Sequence, residues 1–203
     1  MIAIAGLTNS IAVRNYGNWK SRSYNPNGVL KEFHSVEWYL QYTKDNSDGR
    51  GQLDAGQLHK LFWNEPWQKT DPHYDVLITS ADLYDARNGV RETNWIFGSA
   101  IPGFSLVAST FRPRAEFRNE TTYLEVLKTG VMHEFGHVIG LPNENRGYAL
   151  EENLGGHCTN RCIMRQRVRI AEWGEITADR LNHGALCRDC LRDLSRGIPD
   201  LRR

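Results

Sequence analysis

No cysteine precedes residue 158 in this chain of 203 residues, so all of its thiol chemistry is confined to the last quarter. No apolar run approaches the ~20 residues that a membrane-spanning helix requires. The first residues read Met-Ile-Ala-Ile-Ala-Gly-Leu-Thr-Asn, with no basic leader ahead of a long apolar core, so no secretory signal is read and a cytoplasmic protein is expected. A strong charge of either sign is also missing. Lys and Arg number 25 against 24 Asp and Glu, a formal net charge of +1, which argues against nucleic acid or an anionic membrane as a partner of the whole surface. There are no internal repeats and no low-complexity segments. What is present is ordinary globular composition, 40% hydrophobic and 24% charged, in a chain long enough for one domain with a real core. A local basic run, Arg161, Arg165, Arg167 and Arg169, reads as a solvated strand or loop.

Along the chain, Ile2–Leu7 reads as a short buried strand, and 30–42 is weakly helical through Leu30, Phe33, Val36, Trp38, Tyr39 and Leu40. Residues 45–54 form a turn-rich loop. It does not fit a calcium-binding EF-hand, because Arg50 stands where the sharp turn needs glycine. A short helix is expected from Asp54 to Trp63. Strands are expected at Tyr74–Ser80, Asn94–Phe97 and Phe104–Phe111, the last as an exposed edge because it mixes apolar with small polar residues. A longer helix spans Thr122–Gly140. Thr122 and Glu125 suggest a capping box at its start, and Gly140 with Pro142 marks its end. Strands before and between helices indicate an α/β or α+β domain.

Inside that helix lies His133-Glu134-Phe135-Gly136-His137. Histidines four apart sit one turn apart on one face, so both imidazoles can reach one ion, and the intervening carboxylate can take a proton from water activated by it. A catalytic zinc takes a third protein ligand and keeps an open position. His157 is the favoured candidate; Asn143, Glu144, Glu151 and Glu152 are rivals. The cysteines fall as Cys158-x3-Cys162 and Cys187-x2-Cys190. They could form two disulfides, but in an intracellular chain two pairs at this separation suit a closed structural zinc site. If His157 and Cys158 are extended, their side chains point to opposite faces, one toward each ion. Two Zn²⁺ ions are therefore expected, one catalytic and one structural.

Over roughly residues 74 to 192 the chain resembles the archaemetzincins, a branch of the metzincin metallopeptidases. The likeness is carried by Asp-Val-Leu-Ile-Thr-Ser-Ala-Asp-Leu-Tyr, Ile-Phe-Gly-Ser-Ala, His-Glu-Phe-Gly-His-Val-Ile-Gly-Leu, His157-Cys158 and Cys162-Ile163-Met164. It implies a twisted mixed sheet with helices through residue 140, a small zinc-braced C-terminal subdomain at 141–203, and a cleft between the two. Met164 would be the Met-turn residue beneath the histidines, and Arg165-Gln-Arg167 would line the pocket just past the cleaved bond, favouring acidic or polar residues there. The sequence departs from the metzincin pattern where Asn143 occupies the usual place of the third histidine, and His157 comes fourteen residues later. The implied activity is a zinc-dependent endopeptidase or aminopeptidase-like hydrolase with Glu134 as general base. An extended peptide would pair along an edge strand, for which Ser105–Thr110 is the candidate. Tyr148 is the one side chain offered for the developing oxyanion. The alternatives are a zinc-binding interaction module without turnover, for which Glu134 has no use, and hydrolysis of a non-peptide amide by the same residues.

Overall fold

The computed structural model of the chain describes residues 20–24, 30–35, 51–64, 74–87, 90–91, 94–151 and 156–196. The strand expected at Ile2–Leu7 and most of the loop at 45–54 lie outside them. Strand β1 (Lys20–Tyr24) pairs antiparallel with β2 (Leu30–Ser35), which overturns the helical reading of 30–42 over its first six residues. The apolar spacing behind that reading is carried mainly by 36–40, outside the described residues, and strand pairing outweighs so weak a periodicity. Strand β3 (Gln52–Asp54) runs into helix α1 (Ala55–Trp63), whose N-cap Asp54 accepts a hydrogen bond from the Gly56 amide at 2.8 Å. Strands β4 (Asp75–Thr79), β5 (Asp82–Tyr84), β6 (Ala86–Arg87), β7 (Val90–Arg91), β8 (Gly98–Ile101) and β9 (Ser105–Ser109) follow. Then come helices α2 (Phe111–Glu116) and α3 (Glu120–Val138), a 3₁₀ turn at Glu144–Arg146, strands β10 (Leu150–Glu151) and β11 (His157–Cys158), and helices α4 (Glu172–His183) and α5 (Arg188–Ser195). The result is the expected mixed α/β architecture. Among the described residues no helix is long and apolar enough to cross a membrane.

The central sheet has the order β4-β9-β8, with β4 parallel and β8 antiparallel to β9. Strand β9 is therefore central, not the exposed edge expected from its serines. Those serines are satisfied inside the fold: Ser109 Oγ donates to the Ala81 carbonyl at 2.7 Å, and Ser105 Oγ sits 2.7 Å from His59 Nδ1. Residues alternate between two cores. Leu77 and Val107 pack with Leu58 and Phe62 of α1, while Ile78, Leu106 and Ala108 pack with Val126, Leu127 and Val131 of α3. A strand buried on both faces loses the polar alternation by which an edge is recognised. The strand expected at Asn94–Phe97 reduces to a single bridge, Ile96 to Leu83, and pairing begins at Gly98.

Helix α3 starts earlier than the sequence suggested. Its N-cap is Asn119, accepting from the Thr122 amide at 3.0 Å, and Glu125 instead pairs with Lys128 and with Arg180 of α4. It ends with Gly140 at φ 83° and the bonds Gly140 N to His137 O and Leu141 N to Gly136 O, a Schellman closure that only glycine adopts without strain. Gly130 lets the helix lie against Phe97: a Cβ there would meet the ring at 2.0 Å.

His59 of α1 is buried between Ser105 and Ser99, 2.7 and 3.2 Å from their hydroxyls, and burial lowers its pKa to about 4. The unfolded value lies near 6.5, so stability is complete above that pH and drains away as pH falls toward 4, by about 3 kcal/mol in all. Urea-denaturation midpoints of wild type and His59→Gln between pH 7 and 4 should diverge in slope. Parallel profiles would refute this assignment.

Candidate active site and metal centres

The helix phase of α3 puts His133 and His137 one turn apart, and the two-residue strand β11 brings His157 to them. His137 Nε2 lies 3.2 Å from His133 Nε2 and 3.3 Å from His157 Nε2. Nitrogens held about 2.0–2.1 Å from one tetrahedral zinc stand about 3.3 Å apart, so the spacing fits the ion. His133 Nδ1 donates to the Ile163 carbonyl at 2.5 Å, which fixes the tautomer that leaves Nε2 a free lone pair. Burial first, and then the neighbouring imidazoles, push His133 well below its usual pKa and His137 down to about 3. Neutral rings are the form that binds a metal.

Glu134 points from the same helix turn toward the sheet. A Cβ on Gly98 would lie 2.6 Å from Glu134 Cγ and 2.7 Å from the Val107 carbonyl, so glycine in β8 is what lets the carboxylate reach the cleft. Burial pushes its carboxyl up to about 8; a dication at the adjoining triad favours the ionised form instead. Beneath the helix, Met164 is fully buried, and a Cβ on Gly136 would stand 2.2 Å from its sulfur. The thioether thus fills the space left by that glycine on the helix that carries the two histidines.

The four cysteines meet on the other side of β11. Cys158 Sγ lies 3.7 Å from Cys187 Sγ and Cys162 Sγ 3.9 Å from Cys190 Sγ, and all four are free thiols. A disulfide needs about 2.05 Å, whereas sulfurs about 2.3 Å from one tetrahedral zinc stand about 3.8 Å apart. The donor set fits zinc. Hydrogen bonds from Cys162 and Cys190, and from Arg146, hold the Cys158 thiol far below its ordinary range, while Cys162 is pushed up to about 12, chiefly by its neighbour Cys158. Without a cation the cluster can ionise only in part.

Arg146 carries no sequence signal of its role. It comes from the segment between the second and third histidines, and its guanidinium is almost wholly buried. Nη2 lies 3.0 Å from Cys158 Sγ and 2.6 Å from the Ala149 carbonyl; Nη1 lies 2.9 Å from Asp193 Oδ2 and 3.5 Å from Cys190 Sγ. One cation so placed offsets charge on a thiolate cluster and ties the inserted loop to it. Of the rival ligands, Asn143 caps the 3₁₀ turn by accepting from the Asn145 amide, Glu151 pairs with His157 in the β10–β11 ladder, Glu144 stands outside the imidazole triangle, and Glu152 lies outside the described residues. Tyr148 is away from the triad, on Arg192 and Asp189, so it is no oxyanion partner.

A cleft of about 490 Å³ opens over the triad, lined among others by Trp95, Gly98, Ser99, Glu134, Arg167 and Trp173. Its sheet wall is the end strand β8, and Arg112, clamped on Asp82, stacks over Trp95 at its rim. Trp173 stacks on Phe97 at 4.9 Å and meets the His133 ring edge-on at 5.2 Å. Arg165, expected to line the cleft with Arg167, is not among its lining residues.

No family model matches the chain. It is 30% identical over 117 residues to the archaemetzincin of Nanoarchaeum equitans, covering 58% of this chain and 49% of that protein. To the archaemetzincin of Pyrococcus horikoshii it is 32% identical over 127 residues, 60% of this chain and 54% of the relative. The chain thus spans about half the length of the curated relatives it matches. The crystal structure of archaemetzincin from Methanopyrus kandleri superposes with a TM-score of 0.56 at 26% identity, over 77% of this chain and 70% of that one. In sequence and in fold, the chain is archaemetzincin-like.

Proposed function

We propose that the chain is a zinc-dependent peptide hydrolase, with His133, His137 and His157 as ligands of the catalytic ion and Glu134 as general base. The observation that carries this reading is the convergence of three imidazole nitrogens at tetrahedral zinc spacing, beside a buried carboxylate in a cleft walled by a sheet strand. The likeness to archaemetzincins supports it.

Bound at the triad, zinc supplies a Lewis acid that polarises a carbonyl and acidifies water. Glu134 takes a proton from the water that attacks the peptide carbon, then delivers it to the amine nitrogen as the C–N bond breaks. No covalent enzyme intermediate is required. Ile163 and Leu141 carbonyls orient the first two imidazoles, and Met164 takes the Met-turn role of supporting them from below. An extended substrate pairs with the side of β8 that no described strand occupies, which replaces the edge expected in β9. Cys158, Cys162, Cys187 and Cys190 hold a second, structural zinc, giving two ions per chain.

Chelator-treated protein, measured to be free of zinc, should lose hydrolysis of a fluorogenic peptide library, and added Zn²⁺ should restore it. Metal content of the restored protein should be two zincs per chain. Full activity of metal-free protein would end this reading.

A further inference from the structure

Among the described residues, three buried side-chain polar atoms lack a hydrogen-bond partner in the protein: Gln166 Oε1, Arg167 Nε and Trp173 Nε1. All three residues line the same cleft. Such atoms are rare in folded chains, and their concentration beside one site points to partners from outside the protein. Trp173 is 3% exposed, and its ring touches His133, so the subsite adjoins the triad. Arg167 is held by its far end: Nη2 faces the exposed Glu175 at 3.7 Å, and Nη1 makes a long 3.4 Å bond to the Gln166 carbonyl. The Nε edge is left for something else. Two N–H donors, one on a guanidinium and one on a buried indole, want acceptor oxygens, and a carboxylate offers four lone-pair sites without a donor of its own. Gln166 Oε1 is an acceptor and suits a backbone N–H of the same ligand. Asp85 and Glu144 also line the cleft, so the cleft is not uniformly basic and any selection must arise at Arg167.

We propose that Arg167 and Trp173, with Gln166 beside them, form a carboxylate-binding subsite, so that this hydrolase selects peptides bearing a carboxylate next to the scissile bond. The proposal deepens the peptidase reading and rests on it. The carboxylate can come from a Glu or Asp side chain or from a substrate's own C-terminus, and the two sources are separable.

The probes are hexapeptides blocked at both ends that carry Glu, Gln or Leu at each position in turn, together with one series compared as free acid and as C-terminal amide. With zinc-loaded wild type, kcat/KM for Glu over Gln at one position flanking the cut, or for free acid over amide, should be roughly ten- to a hundredfold. Arg167→Met should bring that ratio close to unity. Because both substrates are compared on one enzyme, loss of folded protein cancels. Binding of the same peptides to zinc-loaded Glu134→Gln, measured by calorimetry, should show the same preference without turnover. Cleavage with no carboxylate preference in either series, or a preference untouched by Arg167→Met, would overturn the subsite while leaving the peptidase reading. Carboxylate-selective binding with no cleavage of any peptide would do the reverse.

Discussion

Replacing Glu134 with Gln should lower kcat/KM for peptide hydrolysis by about 10²- to 10⁴-fold, the contribution expected of the proposed general base. The substitution keeps shape and volume, so the close approach to Gly98 and Val107 is preserved. What it removes is proton affinity, because an amide cannot accept a proton from water or pass one to a leaving amine. The three imidazoles lie outside the change, and zinc content should stay at the wild-type level. Kinetics on a cleaved peptide, with metal analysis of the same sample, checks both halves. Activity within a few-fold of wild type would mean that Glu134 is a structural carboxylate.

Arg146→Met is the second large effect, and it acts on stability. Asp193 is buried and bonded to Arg146 at 2.9 Å, and two thiol sulfurs face the same guanidinium. Removing one partner of such an arrangement strands the other as an uncompensated charge, at about 3–5 kcal/mol. That is a large share of the ~5–15 kcal/mol available to a typical domain. The Tyr148 carbonyl also loses its Arg146 donor, and the Ala149 carbonyl keeps only the Thr159 amide, so the chain leading to β10 loosens and the registration of His157 with it. Urea midpoints should fall and zinc bound to the thiols should weaken. Combining Arg146→Met with Asp193→Leu should recover part of the loss, since the stranded carboxylate is then gone. An unchanged midpoint for the single variant would remove Arg146 from the account.

The parts of the molecule legible in the sequence are those with local chemistry. The short helix ending at Trp63, and the apolar spacing and Gly140 stop of the histidine-bearing helix, are such local signals, whereas that helix begins at Asn119 and not at the Thr122 box; the adjacency of His157 and Cys158 matches a strand facing two ways. Helices α4 and α5 carry no such signal, because α4 buries only Trp173, Ile176 and Thr177 and leaves Leu181 exposed among its polar residues. Thr177 bonds Thr129 of α3, a polar contact that no apolar periodicity announces. Strand β9 reads as an edge for the same reason, its serines being satisfied by partners distant in sequence. Arg146 left no trace at all: an arginine in a loop is ordinarily solvated, and only the folded chain brings Asp193 and two sulfurs to it.

The fourteen-residue displacement of the third histidine becomes intelligible from β11. Lengthening a surface loop is thermodynamically mild, about 0.6 kcal/mol for each doubling. The segment after His137 is tied down at Arg146, through the Tyr148 and Ala149 carbonyls, and again where β10 meets β11, so the added length is held at several points on its way back to the triad. A single residue inserted between His157 and Cys158 is another matter, because it would turn one of the two side chains to the wrong face. Added length ahead of this dipeptide can be folded away and tied down, whereas an insertion within it would uncouple the two clusters.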